Sequence, residues 1–105
     1  MEDHKIKRLQ YVVVIAEKKK KGKLMTLLGE RGAHEVELIY GKGSAGVGFL
    51  AKAFGLDMED ERVYLSCLLP DACVAPLMQT LYEDFDFKKS NTGIAFSVPV
   101  EGLMF

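Results

Sequence analysis

Apolar residues in the first third of the chain follow a strand pattern and then a helix pattern. Residues 10–16, QYVVVIA, are rich in β-branched side chains and bounded by charge, which favours a central strand buried on both faces. Leu24, Leu27 and Leu28 then recur at helical spacing. They predict a helix over about 18–31, ended by Gly32 in a left-handed cap conformation.

Alternating apolar and polar residues predict three more strands, at 34–41, 62–70 and 93–101. Pro70 ends the middle one, and Pro99 indicates an edge position or a strand end for the last. The residues expected to share one face are, strand by strand, Val36, Leu38 and Tyr40; Val63, Leu65, Cys67 and Leu69; and Ile94, Phe96, Val98 and Val100.

The clearest helical stripe lies between the last two strands. Asp71 is expected to cap this helix at its N-terminus. Pro76 lacks a backbone N–H, so the regular helix is expected to begin only near Ala75. The stripe consists of Val74, Leu77, Met78, Leu81 and Phe85.

The order of elements, β-α-β, a long loop, then β-α-β, predicts a ferredoxin-like α+β fold. In that fold a four-stranded antiparallel sheet carries two helices on one face. Residues 1–105 then form a single domain. The other face of the sheet needs a cover, because apolar residues point to it, so we expect oligomerisation through the sheet. These residues include Ile15, Ile39, Tyr64 and Leu68.

A G-x-G-x-x-G pattern at Gly41, Gly43 and Gly46 resembles a dinucleotide-binding fingerprint. In a Rossmann unit these glycines join the first strand to the first helix, but here they follow the second strand. The acidic residues at 59–61 precede a strand where a Rossmann unit needs them at the end of one. The Rossmann interpretation is therefore rejected. A turn-rich flexible loop and a backbone nest for an anion both remain open.

Composition narrows the function classes. The 105 residues carry a formal net charge of −1, which argues against a dedicated nucleic-acid surface. The two cysteines lie at neither zinc nor redox spacing, and the longest apolar run is too short to span a bilayer. We expect a cytoplasmic protein without membrane insertion, a resident metal or catalytic residues.

A lysine run at 18–21, with Lys23, is the one concentrated charge. It is interpreted as a solvated helix start, although lysines there oppose the helix dipole, which leaves an anion or an acidic partner as the alternative. His34 stands beside Glu35 and Glu37, but strand alternation places Glu35 on the opposite face from His34, which argues against a metal site.

Taken together, the sequence resembles the PII signal-transduction (nitrogen regulatory protein P-II) superfamily. The resemblance is carried by YGKGSA at 40–45, by the order of elements that follows, and by NTGIAFSVPVE at 91–101. PII proteins are ferredoxin-like homotrimers that bind adenine nucleotides between subunits. The resemblance implies a T-loop at about 41–60 and a B-loop at about 87–93.

The same resemblance implies a ligand site. Gly41 and Gly43 match glycines that lie against nucleotide phosphates, and Gly93 and Lys89 match residues of the B-loop. Ser44, Ala45 and Ile94 stand where PII proteins carry an arginine, a glutamine and a lysine, so a divergent ligand is expected: ADP, ATP, AMP, a cyclic dinucleotide or a small anion such as bicarbonate. The full set of expected ligand-binding residues is Gly41, Lys42, Gly43, Ser44, Ala45, Lys88, Lys89, Asn91, Thr92 and Gly93.

The resemblance further implies a regulator that makes and breaks no bond. A ligand would switch the T-loop, and the loop would bind or release a partner such as a transporter or an enzyme. Two alternatives stay open, a CutA-like metal-tolerance trimer and, less favoured, an acylphosphatase-like enzyme. Apolar residues of the loop are expected either to pack onto the trimer or to form the docking surface; they are Phe49, Leu50, Phe54 and Leu56.

Overall fold

The fold was determined as a computed structural model, which describes residues 8–40, 53, 62–89 and 92–101. Strand β1 is followed by a short 3₁₀ turn and helix α1, and the remaining described elements follow in the predicted order. The bounds are β1 Leu9–Glu17, the 3₁₀ turn Lys18–Lys20, α1 Lys21–Glu30, β2 His34–Tyr40, β3 Arg62–Pro70, α2 Asp71–Asp84 and β4 Gly93–Pro99.

The four strands form one antiparallel sheet in the order β2-β3-β1-β4. β1 pairs with β3 along its whole length and with β4 over most of it, so it is the inner strand that the apolar run at 10–16 predicted. β4 lies at an edge and ends at Pro99, where a missing N–H costs no ladder hydrogen bond. The predicted ferredoxin-like α+β fold is confirmed.

The main core lies between the sheet and both helices. Alternate residues of β1 and β3 face the helices, and the predicted stripes of α1 and α2 pack onto them. Each fully buried Leu or Val contributes about 1.5–3 kcal/mol of transfer free energy. The most buried members are Val12, Val14, Ala16, Leu24, Leu28, Val63, Leu65, Cys67, Leu69, Leu77 and Leu81.

A Schellman motif ends α1 at the predicted glycine. Gly32 has a φ of +83°, its amide donates to the Gly29 carbonyl, and the Ala33 amide donates to the Leu28 carbonyl at 3.0 Å. These bonds satisfy carbonyls that the last helical turn leaves without partners.

The predicted start of α2 is wrong. The helix begins at Asp71, so Pro70 is the N-cap residue, and Pro70 has no side chain that can make a capping hydrogen bond. The Asp71 carboxylate accepts a hydrogen bond from the Gln10 side chain. Pro76 lies inside the helix and removes the hydrogen bond to the Ala72 carbonyl. Ala72 is exposed, so water can reach that carbonyl and the helix continues through the proline.

β2 also departs from strict alternation. Its register with β3 shifts between His34 and Glu37, where Glu35 adopts a φ of +55°. This bulge inserts one residue, so His34 and Glu37 both lie on the sheet face away from the helices. Strict alternation would place His34 and Glu37 on opposite faces, and the bulge corrects that expectation.

The turn after α2 folds back onto β4. Asp86 has a φ of +62°, and the Phe87 amide donates to the Leu81 carbonyl at 3.1 Å. The Phe87 ring then lies directly on Gly93, in space that any Cβ at position 93 would occupy. Gly93 is therefore required by packing, in addition to any part it has in ligand binding.

Two alanine substitutions, one within α1 and one just after it, are expected to act in opposite directions. Gly32→Ala forces an L-residue into the left-handed region and should lower the free energy of unfolding by about 1 kcal/mol. Gly29→Ala, in the helix with no atom within 4 Å of its added Cβ, should raise it by about 0.5–1 kcal/mol. Urea unfolding at one protein concentration measures both; equal effects of the two variants would contradict the assigned cap.

Gly93→Ala is expected to destabilise the protein by about 1–3 kcal/mol, because the Phe87 ring must leave its place. The double variant Gly93→Ala with Phe87→Ala should lose less than the sum of the single variants, because the two residues are in contact. Additive losses in the same urea experiment would show that the ring does not constrain Gly93.

Candidate functional site

Four strand termini meet at one end of the sheet, which we call the loop end. Ala16 near the end of β1 lies opposite both Val63 of β3 and Gly93 of β4, and Tyr40 at the end of β2 also lies opposite Val63. The segment between β2 and β3 therefore leaves and re-enters the sheet beside the start of β4. Antiparallel register alone brings the bases of the two predicted loops together.

The predicted ligand-binding residues divide into two groups. Thr92 and Gly93 lie at the loop end, and Lys88 and Lys89 lie in the turn that follows α2. Outside the described residues are Gly41, Lys42, Gly43, Ser44, Ala45 and Asn91, and also the predicted partner-binding residues Phe49, Leu50, Phe54 and Leu56.

Arg62 is a residue of this end that the sequence analysis did not select. It is the first residue of β3, is only 3% exposed, and its Nη1 donates to the Thr92 carbonyl at 3.5 Å. A buried guanidinium ties the end of one predicted loop to the end of the other. The sequence signal was a single cation at the head of an apolar strand, which does not reveal its distant contact.

Lysines surround the loop end in ion pairs. Lys20 donates to the Phe85 carbonyl at 2.9 Å and lies 3.7 Å from Glu17, so one member of the lysine run fixes the end of α2 to the end of β1. Lys88 lies 3.5 Å from Glu83, and Lys89 lies 4.0 Å from Asp86. These carboxylates reduce the positive charge that the two predicted B-loop lysines offer to a phosphate.

A cleft of about 280 Å³ opens between α2 and β4, next to the loop end. Its walls are Met78, Leu81 and Tyr82 of α2, Phe87 of the turn, and residues 93–95 of β4. Most of this surface is apolar. Helical spacing predicted two of these side chains as core, Met78 and Leu81, and it gave no indication of a cavity.

The sheet face away from the helices carries a second apolar cluster. Val13 and Ile15 are buried there beneath Tyr64, Ile94 and Phe96. Around them the face presents large exposed side chains, Tyr11, Ile39 and Val98. Ile15, Ile39, Tyr64 and Leu68 lie on this face as the alternation predicted.

Burial raises the pKa of one titratable side chain on each face of the sheet, Tyr64 on the open face and Cys67 on the helix-covered face. Burial, a hydrogen bond with Tyr11 and the nearby charges of Tyr11 and Glu37 raise the pKa of Tyr64 to about 12. Burial in the main core likewise raises the pKa of the Cys67 thiol, which makes it an unreactive core residue. Tyr64 therefore stays neutral on the open face at physiological pH.

Within the described ranges, no three His, Cys, Asp or Glu residues group closely enough to hold a metal ion. None of the helices described for this chain is long and apolar enough to cross a membrane.

Comparisons with known proteins identify relatives by structure alone. No protein-family model and no curated protein matches the sequence. Among solved structures, CPII from Thiomonas intermedia K12 bound to ADP, AMP and acetate matches with a TM-score of 0.63 and 20% identity over 91% of each chain. The apo form of CPII, a nitrogen regulatory PII-like protein, matches with a TM-score of 0.64 and 16% identity over 89% of each chain.

A third solved structure, the GlnK–ATP complex of B. subtilis, matches with a TM-score of 0.61 and 15% identity. The match covers 89% of this chain and 82% of that one. All three structures carry the fold that the sequence resemblance predicted. The chain has the ferredoxin-like α+β fold of the PII-like proteins.

Proposed function

We propose that this protein is a divergent PII-like regulator, a homotrimer that senses a small ligand between its subunits. The ligand is an adenine nucleotide, and its binding changes the loop between β2 and β3 so that the loop binds or releases a partner protein. The observation that carries the proposal is the loop end, where Arg62 joins the base of this loop to the turn before β4.

The chemistry at the loop end suits an anionic ligand. Arg62 places a guanidinium at the start of β3, where it reaches the Thr92 carbonyl before β4, and Lys20 adds a second cation after the end of β1, beside Glu17. Related folds support the type of ligand, because CPII is bound to ADP and AMP and GlnK to ATP. The ten residues predicted as ligand-binding remain part of this proposal.

The open sheet face supports the trimer. Both helices cover one side of the sheet, so on the other side exposed residues such as Val98 surround an already buried centre. Contact with other copies would remove this apolar rim from water. In a closed ring of three sheets, the β2 edge of one subunit would lie near the β4 edge of the next, because β2 and β4 are the two edges of each sheet.

The CutA-like and acylphosphatase-like alternatives have the same fold, so the fold does not separate them from a nucleotide sensor. The three kinds of protein differ in what they bind or react with. A CutA-like protein would bind copper in preference to nucleotides, and an acylphosphatase would hydrolyse acyl phosphates faster than buffer does. The regulator binds a nucleotide and leaves it intact.

The first expected outcome is a trimer that binds an adenine nucleotide. Light scattering during gel filtration should give three times the 11.7 kDa of one chain. Calorimetric titration of that trimer with ADP, ATP and AMP should give one site per subunit, and the nucleotide should be recovered unchanged. A stable trimer that releases no heat with any of the three would contradict the proposed ligand.

Matched variants test whether the open face makes the trimer. Val98→Glu places a charge on this face, at a side chain 50% exposed in one chain, and should give monomers that bind nucleotide at least tenfold more weakly. Met25→Glu changes a 38% exposed side chain on α1 and should leave both trimer and affinity unchanged. Monomeric Val98→Glu with full affinity would contradict a site between subunits.

A second pair of variants tests Arg62. Arg62→Met and Arg31→Met each remove a guanidinium that joins two elements, since Arg31 Nη2 donates to Thr80 Oγ1 at 2.8 Å between α1 and α2. Both should lower the free energy of unfolding by about 1.5–3 kcal/mol. Only Arg62→Met should weaken ADP binding, by about tenfold or more in calorimetry. Equal affinities of the two variants would assign Arg62 a purely structural role.

A further inference from the structure

We propose that the lysine run at the start of α1 is a docking surface for a short acidic segment of a partner protein. The surface consists of Lys18, Lys19, Lys21 and Lys23, which we call the lysine surface. This inference goes beyond the proposed function, because it needs no nucleotide and uses no residue of the proposed nucleotide site.

Charge is distributed unevenly along this chain. The 105 residues include 14 Lys and Arg against 15 Asp and Glu, yet five of the cations occupy the six positions 18–23. The rest of the chain then has nine cations for 15 acidic residues, so the run is a positive region on an otherwise negative protein. Such a region attracts a negatively charged partner and sets where that partner binds.

The fold holds the lysine surface in place and leaves it open to solvent. Lys18, Lys19 and Lys23 are exposed, and Lys21 is half-buried. Lys20, in the middle of the run, differs from them because its side chain is 19% exposed, lies 3.7 Å from Glu17 and donates to the Phe85 carbonyl. This one inward lysine fixes the 3₁₀ turn against α2, so the backbone that carries the outward lysines has a defined position.

The lysines occupy the end of α1 where negative charge is stabilising. The N-terminus of a helix carries a partial positive charge, but α1 has no acidic residue in its first turn and no side-chain cap. Cations crowded at this end repel the helix dipole and one another. Carboxylates of a partner would offset that repulsion, which gives binding a driving force that the chain alone does not use.

The dimensions of the run favour a short segment over a larger polyanion. Three residues of 3₁₀ turn followed by the first three of α1 extend about 10 Å, the length of about three extended residues. A nucleic-acid duplex or a bilayer is far larger than this. It would bring its negative charge against the acidic remainder of the chain, whereas a short acidic segment meets only the lysines.

The exposed side of α1 also argues for a peptide over a membrane. A helix that lies on a bilayer presents large apolar side chains beside its lysines. The outward ridge of α1 instead consists of Gly22, Thr26 and Gly29, and Met25, 38% exposed, is the one large apolar side chain among the exposed residues of this helix. These small residues leave room for the backbone of a peptide beside the lysines.

The direct test is fluorescence anisotropy of the full chain with a labelled pentaglutamate peptide, compared with pentaglutamine. The glutamate peptide should bind, and its affinity should fall at least tenfold between about 0.05 M and about 0.5 M salt, because salt screens exposed charges. The glutamine peptide should not bind. Failure of the glutamate peptide to bind would overturn the inference, as would tighter binding of phosphatidylserine vesicles or of duplex DNA than of this peptide.

Matched charge reversals test whether the peptide binds at the lysine surface. Lys19→Glu and Lys23→Glu should each weaken pentaglutamate binding about fivefold, and the double variant at least tenfold. Arg8→Glu makes the same change in net charge at an exposed residue before the start of β1, at the other end of the sheet, and should alter the affinity less than about twofold. Equal losses from Arg8→Glu and Lys19→Glu would overturn the inference, because net charge alone would then explain binding.

Calorimetry with ADP separates this inference from the proposed function. Urea unfolding first checks that the double variant Lys19→Glu with Lys23→Glu is folded, and this variant should then bind ADP with the wild-type affinity. Loss of ADP binding together with peptide binding would assign these lysines to the nucleotide site and overturn a separate surface. Peptide binding by a wild-type protein that binds no nucleotide would keep the lysine surface and reject the nucleotide sensor.

Discussion

The pairing of β1 with two antiparallel neighbours is the constraint on which the rest of the structure depends. β1 is apolar on both faces, so it can be satisfied only inside a sheet, between β3 and β4. Once it is there, its last residues, Ala16 and Glu17, lie beside the starts of both neighbours. The starts of β3 and β4 must then lie at the same end of the sheet, whatever the sequences of the segments that precede them.

The loop end is held together by contacts between parts of the chain far apart in sequence. Lys20 holds the end of α2, Arg62 reaches the carbonyl of Thr92, and the Phe87 ring packs on Gly93. Each contact uses backbone as one partner, so it fixes where the chain runs more than which side chains surround a ligand. Contacts to backbone do not depend on the identity of the residue that supplies it, so they constrain neighbouring side chains little.

The two faces of the sheet differ in how they are covered. Helices close one face with a continuous core, and that face supplies stability within a single chain. The other face has a small buried centre, formed by Val13 and Ile15, and an exposed apolar rim. Tyr64 packs against this centre, and its phenol is neutral because its pKa is raised. The covered face and the open apolar face thus lie on opposite sides of the same four strands, and alternating side chains allow both to be encoded together.

The sequence by itself determined the elements, their order and the buried face of each one. Periodicity reports burial directly, so the stripes of α1 and α2, the inner strand β1 and the left-handed Gly32 were all predictable. Local departures from regular helix and strand geometry could not be predicted from periodicity. Pro76 is tolerated within α2 because the Ala72 carbonyl that it leaves without a donor is exposed to water, and Glu35 has a positive φ where the β2 register shifts; hydrophobic periodicity reports neither.

Only the tertiary structure decided what the loop end contains. The apolar cleft and the contact of Arg62 with Thr92 join residues separated by roughly 10 to 30 positions, and no periodic pattern encodes them. They depend on strand register and on how the turn at Asp86 returns over α2. The sequence determined which residues are buried and in which elements, while register and packing determined which of them meet, because a pattern specifies a face and a contact requires two faces to be placed in space.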